Sequence, residues 1–338
     1  MRDNALLSIE NVKKYYTVRK GLWRKETVRA VDNVSLEVNQ GDIHAIVGES
    51  GSGKSTLARL IVGLEEPDEG RICYLGANPF KLKKKERTIF HREVQMVFQN
   101  PYASLNPRKT VRSILSKPFR THGIAHNEDT LKELLSKVDL APPSDYLSKY
   151  PHELSGGQRQ RIAIARSLAL GPRAIILDEP TSALDVTTKV QILDLLKDLQ
   201  RQEKLALIFI SHELPFLRPI GGTVTVMYNG KIVEKGSSAE IFDDSYHPYT
   251  IGLLNSILEA DPREARKREI FAVEGETPSP VNPPPGCRFH PRCPIAQPSC
   301  SESDPSTVSI SESHQVACPI SPKTFGDKAL DRSLIYVR

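Results

Sequence analysis

The strongest constraint on the fold of this 338-residue chain is a glycine-rich run, Gly48-Glu49-Ser50-Gly51-Ser52-Gly53-Lys54-Ser55-Thr56. The apolar residues 43–47 before it are typical of a buried β-strand, and residues 55–62 predict a helix after it. Two later apolar runs, 174–177 and 206–210, predict further buried strands. A strand, a glycine-rich turn and a helix in this order favour an α/β architecture with a largely parallel sheet.

This run, hereafter the phosphate loop (residues 48–56), predicts a nucleotide site. Its glycines allow backbone N–H groups to turn inward around phosphate oxygens at the start of a helix. Lys54 can reach the outer phosphates, and the Ser55 hydroxyl can ligate Mg²⁺. A purely structural glycine turn is the alternative, but the strand–loop–helix context favours nucleotide binding. The predicted nucleotide contacts in the loop are Gly48, Ser50, Gly51, Ser52, Gly53, Lys54, Ser55 and Thr56.

The apolar run that starts at Ala174 ends in two acidic residues, Asp178 and Glu179. Asp178 is predicted to hold Mg²⁺, and Glu179 to orient the attacking water and accept its proton. Acidic residues after a strand can also simply cap a helix. Beside the phosphate loop, however, the pair indicates phosphate hydrolysis.

A second anion site is predicted at Leu154-Ser155-Gly156-Gly157-Gln158, which opens a long helix. Free N–H groups and the positive end of the helix dipole would face an anion there. The phosphate loop already surrounds the phosphates within one subunit. A second anion site therefore suggests ATP held between two subunits.

Together these motifs resemble those of the ABC ATPase family, whose signature is the pentapeptide 154–158. The resemblance implies a P-loop NTPase fold of RecA type, with an ABC ATPase core, a helical subdomain and a cysteine-bearing C-terminal extension. It also implies ATP hydrolysis with Mg²⁺, and ATP contacts from Ser155, Gly156, Gly157 and Gln158.

Four further positions match residues with known roles in that family. Gln99 matches the glutamine that contacts Mg²⁺ and the attacking water and signals to the membrane subunits. Asp185 lies in the loop that crosses the dimer interface, and His212 matches the histidine that contacts the γ-phosphate. Tyr16 matches the aromatic residue that stacks on adenine, with Tyr15 as the rival.

The positions of proline and glycine residues suggest that the chain is divided into three parts. The ABC ATPase core is expected at 1–98 and 155–245. The intervening residues 99–154 contain short helical stretches broken by prolines and predict the helical subdomain. Residues 246–338, hereafter the extension, include the proline-rich stretch 277–285 and four of the five cysteines.

Parts of the chain resemble the ATPase subunits of dipeptide and oligopeptide permeases, most closely their F-type ATPase subunit. The matching segments are 100–107, His247-Pro248-Tyr249-Thr250, Pro278-Ser279-Pro280 and 283–287. The resemblance implies a subunit that energises peptide import; relatives of the same build carry nickel or small sugars.

That resemblance also implies partners. It predicts a second, homologous ATPase subunit in a heterodimer, with homodimerisation as the second arrangement. Two transmembrane permease subunits are expected, and a solute-binding protein acts indirectly. The chain itself has neither a roughly 20-residue apolar run nor a secretory signal, which predicts a peripheral location on the cytoplasmic face of the membrane.

Four cysteines of the extension, Cys287, Cys293, Cys300 and Cys318, predict a metal site. Four thiolates can hold a 4Fe-4S cluster or a zinc ion, and a cytosolic location disfavours disulfides. The tight pairs of most zinc sites are absent, and the permease subunits that the chain resembles carry a 4Fe-4S cluster. The cluster is therefore the expectation, with zinc and free thiols as alternatives.

The sequence argues against two other functions. An ABC ATPase acting on nucleic acid would usually carry a coiled-coil insertion or a second cassette, and this sequence has neither. The net charge of +5 is a weak attraction for nucleic acid. A regulatory subunit that binds ATP without turnover conflicts with intact Asp178, Glu179 and His212.

Overall fold

The computed structural model describes residues 5–20, 24–100, 104–255, 275–318 and 320. Its strands are β1 (Leu7–Lys20), β2 (Arg24–Val38), β3 (Ile43–Val47), β4 (Glu69–Tyr74), β5 (Val94–Val97), β6 (Ala174–Asp178), β7 (Ala206–Ser211), β8 (Thr223–Tyr228), β9 (Lys231–Ser237), β10 (Val308–Ser309) and β11 (Gln315–Val316). Its α-helices are α1 (Lys54–Ile61), α2 (Lys84–Glu93), α3 (Val111–Thr121), α4 (Glu128–Lys137), α5 (Ser144–Leu147), α6 (Gly156–Leu168), α7 (Val186–Glu203), α8 (Ser238–Asp243), α9 (Pro248–Asn255) and α10 (Ser299–Glu302).

The larger sheet has the strand order β10-β11-β9-β8-β3-β7-β6-β5. Strands β5, β6, β7, β3 and β8 are parallel, as the apolar runs predict, whereas β9, β10 and β11 pair antiparallel. Val47 pairs with Ser211, and Asp178 pairs with Ile210. The carboxyl ends of three strands therefore meet at one edge, where ligands bind in open parallel sheets.

A second sheet, in the order β2-β1-β4, is antiparallel and was not predicted from the sequence. It encloses one apolar core together with α1 and one face of the larger sheet; Leu7, Ile46 and Leu57 are fully buried there. Tyr16 lies on β1 opposite Val28. This sheet thus places Tyr15 and Tyr16, the two candidate adenine contacts, on a strand near the phosphate loop.

Residues 104–154 form helices α3 to α5 and contain no strand among the described residues. Thr110 and Asn127 cap α3 and α4 through their side chains. Leu115 and Leu135 pack with Ile162 of α6 in the second core. This packing places the start of α6 next to the helical region.

Residues 188–202 lie between two predicted strands and carry apolar residues at the spacing of one helical face, which predicts a helix with Val190, Leu193, Leu196 and Leu199 on that face. The observed helix α7 begins two residues earlier, at Val186. Three of its four predicted apolar positions, Leu193, Leu196 and Leu199, are buried. The fourth, Val190, is 47% exposed, so the predicted apolar face is buried only in part. Val190 instead lies on an exposed face with Val186, one turn earlier, which is 65% exposed.

The extension returns to the larger sheet. Its hairpin β10–β11 adds to β9, where Gln315 pairs with Lys235. The neighbouring Glu234 is fully buried and accepts a hydrogen bond from His314 Nε2 at 2.8 Å. The part of the extension that the structure describes is therefore integrated with the core. Among the described residues, no helix is both long and apolar enough to cross a bilayer.

Candidate functional site

The phosphate loop joins β3 to α1 through glycines that no other residue can replace without strain. Gly48 and Gly53 have φ of +151° and +100°, a region that L side chains rarely adopt. A Cβ atom on Gly53 would lie 2.0 Å from the Ala30 carbonyl oxygen, and one on Gly48 would lie 2.1 Å from that of Met227. The loop is therefore packed tightly against the backbones of β2 and β8.

We expect Gly53→Ala to destabilise the chain and abolish ATP binding. A left-handed alanine alone costs about 1–2 kcal/mol, and the clash with Ala30 adds about 1–3 kcal/mol of overpacking. Gly76→Ala is the matched control, because Gly76 has φ of +77° with nothing within 4 Å of its added Cβ. Urea unfolding and a nucleotide-binding titration measure the two effects. Equal unfolding free energies for both variants would contradict the expectation.

Lys54 lies inside the loop and is 5% exposed. Its Nζ donates to the carbonyl oxygens of Gly48 and Glu49 at 2.8 Å and to Ser52 Oγ at 3.2 Å. Burial lowers the pKa of Lys54 to about 8. An anionic phosphate would supply the counter-charge that favours the protonated ammonium.

Ser55 and Asp178 form the oxygen pair predicted for Mg²⁺. Ser55 Oγ donates to Asp178 Oδ1 at 3.1 Å. Asp178 is 6% exposed, and burial raises the pKa of its carboxyl. A hydroxyl and a carboxylate are hard oxygen ligands of the kind Mg²⁺ prefers, so the donor set fits the ion.

The Glu179 carboxylate is held from both sides. Gln99 Nε2 donates to Oε2 at 2.7 Å, and His212 Nδ1 lies 2.9 Å from Oε1. Glu179 has φ of +47°, and its backbone N–H donates to Ile210 O at 2.9 Å. The parallel sheet thus brings three predicted residues, from positions 99, 179 and 212, into one hydrogen-bonded group at its carboxyl edge.

The signature segment 154–158 caps its own helix. Ser155 Oγ accepts from the Gln158 N–H at 3.2 Å, and Gln158 Oε1 accepts from the Ser155 N–H at 3.0 Å. Ser155 is exposed. A Cβ on Gly157 would lie 2.6 Å from Thr188 Cγ2, so this segment packs on the first turn of α7.

Asp185 is the N-cap of α7. Its Oδ1 accepts from the Thr188 N–H at 3.0 Å, and its Oδ2 accepts from the Thr188 hydroxyl at 2.7 Å. These hydrogen bonds hold the pKa of the exposed Asp185 carboxyl below its ordinary value. The signature segment and the loop that ends at Asp185 therefore form one surface.

The two tyrosines of β1 have different neighbours. The Tyr15 hydroxyl donates to Asp32 Oδ1 at 2.7 Å, and burial and this bond raise its pKa to about 12. The Tyr16 hydroxyl donates to Glu65, and the Tyr16 side chain lies beside Thr56, the last residue of the phosphate loop. This placement favours Tyr16 over Tyr15 as the adenine contact.

Sequence reasoning missed three residues that contact Glu49, the second residue of the phosphate loop. Arg292 and Thr277 of the extension bond to the Glu49 carboxylate, and the Tyr249 hydroxyl accepts from the Glu49 N–H. Tyr249 lies within a segment that the resemblance singled out, and Thr277 begins the proline-rich stretch 277–285. Their contact with the loop has no local sequence signal, because Glu49 is 200 positions from Tyr249 and 228 positions from Thr277.

The prediction of a 4Fe-4S cluster at Cys287, Cys293, Cys300 and Cys318 is wrong. Within the described ranges, no group of three or more His, Cys, Asp or Glu side chains could hold a metal ion, which also leaves the zinc alternative without support. The cysteines are free thiols. Burial raises the pKa of the Cys293 and Cys318 thiols to about 12, so both are protonated at neutral pH.

Two family matches cover separate parts of the chain. Residues 31–182 match the family described as ABC transporter. Residues 233–300 match the family described as oligopeptide/dipeptide transporter, C-terminal region. Neither description mentions an iron–sulfur cluster.

Curated relatives match nearly the full length. The chain is 46% identical over 322 residues to the oligopeptide transport ATP-binding protein AppF of Bacillus subtilis, covering 94% of this chain and 97% of the relative. It is 43% identical to the dipeptide transport ATP-binding protein DppF of Haemophilus influenzae, and the match covers 94% of this chain and 97% of DppF. It is also 43% identical to the oligopeptide transport ATP-binding protein OppF of Salmonella typhimurium, and the match covers 93% of this chain and 96% of OppF.

Solved structures of similar fold are ATP-binding cassettes. A dimer of the cassette MJ0796 in a post-hydrolysis state, bound to ADP and Pi, has a TM-score of 0.60 and 29% identity. It covers 69% of this chain and 98% of that one. Another dimeric structure of MJ0796, described as a bacterial ABC transporter cassette, has a TM-score of 0.60 and 30% identity, with the same coverage. The predicted ABC ATPase fold is confirmed.

Proposed function

This chain belongs to the family of oligopeptide and dipeptide transport ATP-binding proteins of ABC transporters, and from this premise we propose that it hydrolyses ATP to energise peptide import. The observation that carries the proposal is the Glu179 carboxylate, held between Gln99 and His212 at the sheet edge next to Lys54. Such a group can position a water molecule against a bound phosphate.

The hydrolytic step follows from this arrangement. Glu179 orients the attacking water and accepts its proton as the water oxygen bonds to the γ-phosphorus and the bond to the bridging oxygen breaks. Lys54 and His212 stabilise charge on the γ-phosphoryl oxygens. Ser55 and Asp178, with Gln99, would hold Mg²⁺, which supplies charge stabilisation at the phosphates when bound.

A second subunit would complete the site. Ser155 is exposed at the positive end of α6, and in this proposal the 155–157 segment of one subunit contacts the γ-phosphate on the other. Val186 and Val190 are exposed apolar side chains next to Asp185, which suits a surface that a partner covers. The similar MJ0796 cassettes are dimers. We propose a homologous but distinct ATPase subunit as the partner, with a homodimer as the second arrangement.

The proposed contact with the transmembrane permease subunits is a cleft of about 660 Å³ beside the site. Gln99 and Asp178 line the cleft, and Leu64 and Phe98 add exposed apolar surface to its lining. A permease segment seated there would lie against Gln99, which bonds to Glu179. This contact would hold the chain at the cytoplasmic face of the membrane.

The division into a core (1–98 and 155–245), a helical subdomain (99–154) and the extension (246–338) remains a prediction. The helices α3 to α5 between Val111 and Leu147 support it. The individual roles of the site residues likewise remain predictions.

Reconstitution of the assembled transporter in vesicles tests the function. The chain, its partner ATPase, the permease subunits and the solute-binding protein would be combined, and phosphate release measured with and without peptide. We expect di- or oligopeptides to stimulate phosphate release and to accumulate in the vesicles. Stimulation by nickel or a small sugar alone would replace the peptide assignment, and absence of phosphate release would refute the ATPase.

A further inference from the structure

The extension reaches the phosphate loop at Glu49. Arg292 Nη1 and Nη2 donate to the two Glu49 carboxylate oxygens at 2.8 and 3.2 Å, so the pair is bidentate. The Thr277 hydroxyl donates to Glu49 Oε2 at 2.7 Å. The Arg292 side chain is 8% exposed and that of Glu49 is 27% exposed. This is a partly desolvated ion pair rather than a surface one.

The backbone of the same residue is held as well. The Glu49 N–H donates to the Tyr249 hydroxyl at 2.7 Å. The Tyr249 ring is fully buried and packs edge-on against Tyr228 at 4.6 Å, with Phe289 of the extension 5.5 Å away. An aromatic cluster built largely from residues after 245 therefore fixes the position of the second loop residue.

Further contacts anchor the extension beside the loop. Pro280 O accepts from the Arg29 N–H at 3.0 Å, and Pro278 O accepts from Asn229 Nδ2 at 3.1 Å. Arg288 forms a buried ion pair with Asp32. The extension therefore stays attached by contacts that do not involve Arg292 or Glu49.

The charge on Glu49 needs compensation. Its backbone carbonyl accepts from Lys54 Nζ at 2.8 Å, which places it beside the group that receives the phosphates. An unpaired carboxylate there would repel a polyphosphate. Burial alone would raise the pKa of Glu49, but bonds from Arg292 and Thr277 keep it below its ordinary value. Glu49 is therefore ionised, and Arg292 neutralises it.

We propose that Arg292 is a positioning residue for ATP binding, which acts by holding and neutralising Glu49 of the phosphate loop. The extension is in this way a part of the nucleotide site, in addition to its packing role. This inference rests on the proposed ATP site. It predicts an effect on ATP affinity and KM, whereas kcat depends on Glu179.

The test compares Arg292→Gln, Arg292→Lys and the double variant Glu49→Gln/Arg292→Gln in the assembled transporter. For Arg292→Gln we expect the affinity for Mg-ATP to fall about tenfold, equivalent to about 1.4 kcal/mol. The KM for ATP rises accordingly with little change in kcat. Arg292→Lys restores part of the affinity, and the double variant restores most of it because the uncompensated charge is gone.

Arg218→Gln is the matched control, because Arg218 pairs with Asp243 on the surface at 2.6 Å and is 61% exposed. It should bind ATP like the wild type. Unchanged ATP affinity in Arg292→Gln would overturn the inference. The inference would also fail if the double variant bound ATP as weakly as Arg292→Gln does. That result would mean that Arg292 supports the structure and does not act by neutralising the charge on Glu49. Failure of the wild type to bind ATP would instead reject the proposed function.

Discussion

Replacing Glu179 by glutamine is expected to lower the rate of ATP hydrolysis by about 10²- to 10⁴-fold, the range for loss of a positioned general base. The amide keeps the size of the side chain and can still accept from Gln99 Nε2, which bonds to the carboxylate at 2.7 Å in the native chain. It cannot take the proton of the attacking water. Binding of Mg-ATP should therefore persist while phosphate release from the assembled transporter falls.

Glu203→Gln serves as the control for this loss. Glu203 ends α7 and pairs with Lys137 at 2.7 Å, with 39% of its side chain exposed. Its substitution should leave phosphate release unchanged. A Glu179→Gln transporter that released phosphate at nearly the wild-type rate would remove Glu179 from the role of base.

Replacing Ser155 by aspartate is expected to lower turnover of the assembled transporter by about 10²-fold or more, the scale on which a donor to developing charge acts. Aspartate is as good an N-cap as serine, so α6 should remain intact. Its carboxylate, however, would face the γ-phosphate of the other subunit and repel it. Isolated subunits should bind ATP as before, because Lys54 and the phosphate loop are unchanged.

The control repeats the substitution at another helix start. Thr110 caps α3, and its hydroxyl oxygen accepts a hydrogen bond from the Ser113 N–H at 3.4 Å. A transporter that carries Thr110→Asp should hydrolyse ATP at the wild-type rate. The two readouts are ATP binding to the isolated subunit and phosphate release from the complex. Wild-type turnover in the Ser155→Asp complex would show that this segment does not meet a γ-phosphate, and the shared site would be rejected.

Much of the candidate site was predictable because its signals are local. The strand before the phosphate loop, observed at Ile43–Val47, and the acidic pair at the end of β6 lie in short segments whose residue types dictate both conformation and chemistry. Gln99 and His212 came only from the family resemblance. The structure adds a reason for their importance, which is that each bonds to a different oxygen of Glu179.

The cysteines show where counting residues fails. Four thiols in one segment satisfy the composition of a cluster site, but composition does not specify how the side chains are placed or protonated. Within the described residues they form no metal-binding group, and burial raises the pKa of Cys318 to about 12. Val190 is a second example, because it fits the apolar spacing of a helix and is nevertheless exposed. Helical periodicity shows which side chains share a face, but it does not show whether that face is buried within the chain.

The sequence by itself determined the parallel α/β core, the phosphate loop and the acidic pair Asp178 and Glu179, because these depend on neighbours within a few positions. Only the tertiary structure decided that Arg292 contacts Glu49 across 243 residues and that the β2-β1-β4 sheet brings Tyr16 beside Thr56. Such contacts depend on which surfaces bury one another when the chain is compact. No periodicity or motif at either end of the pair encodes that choice.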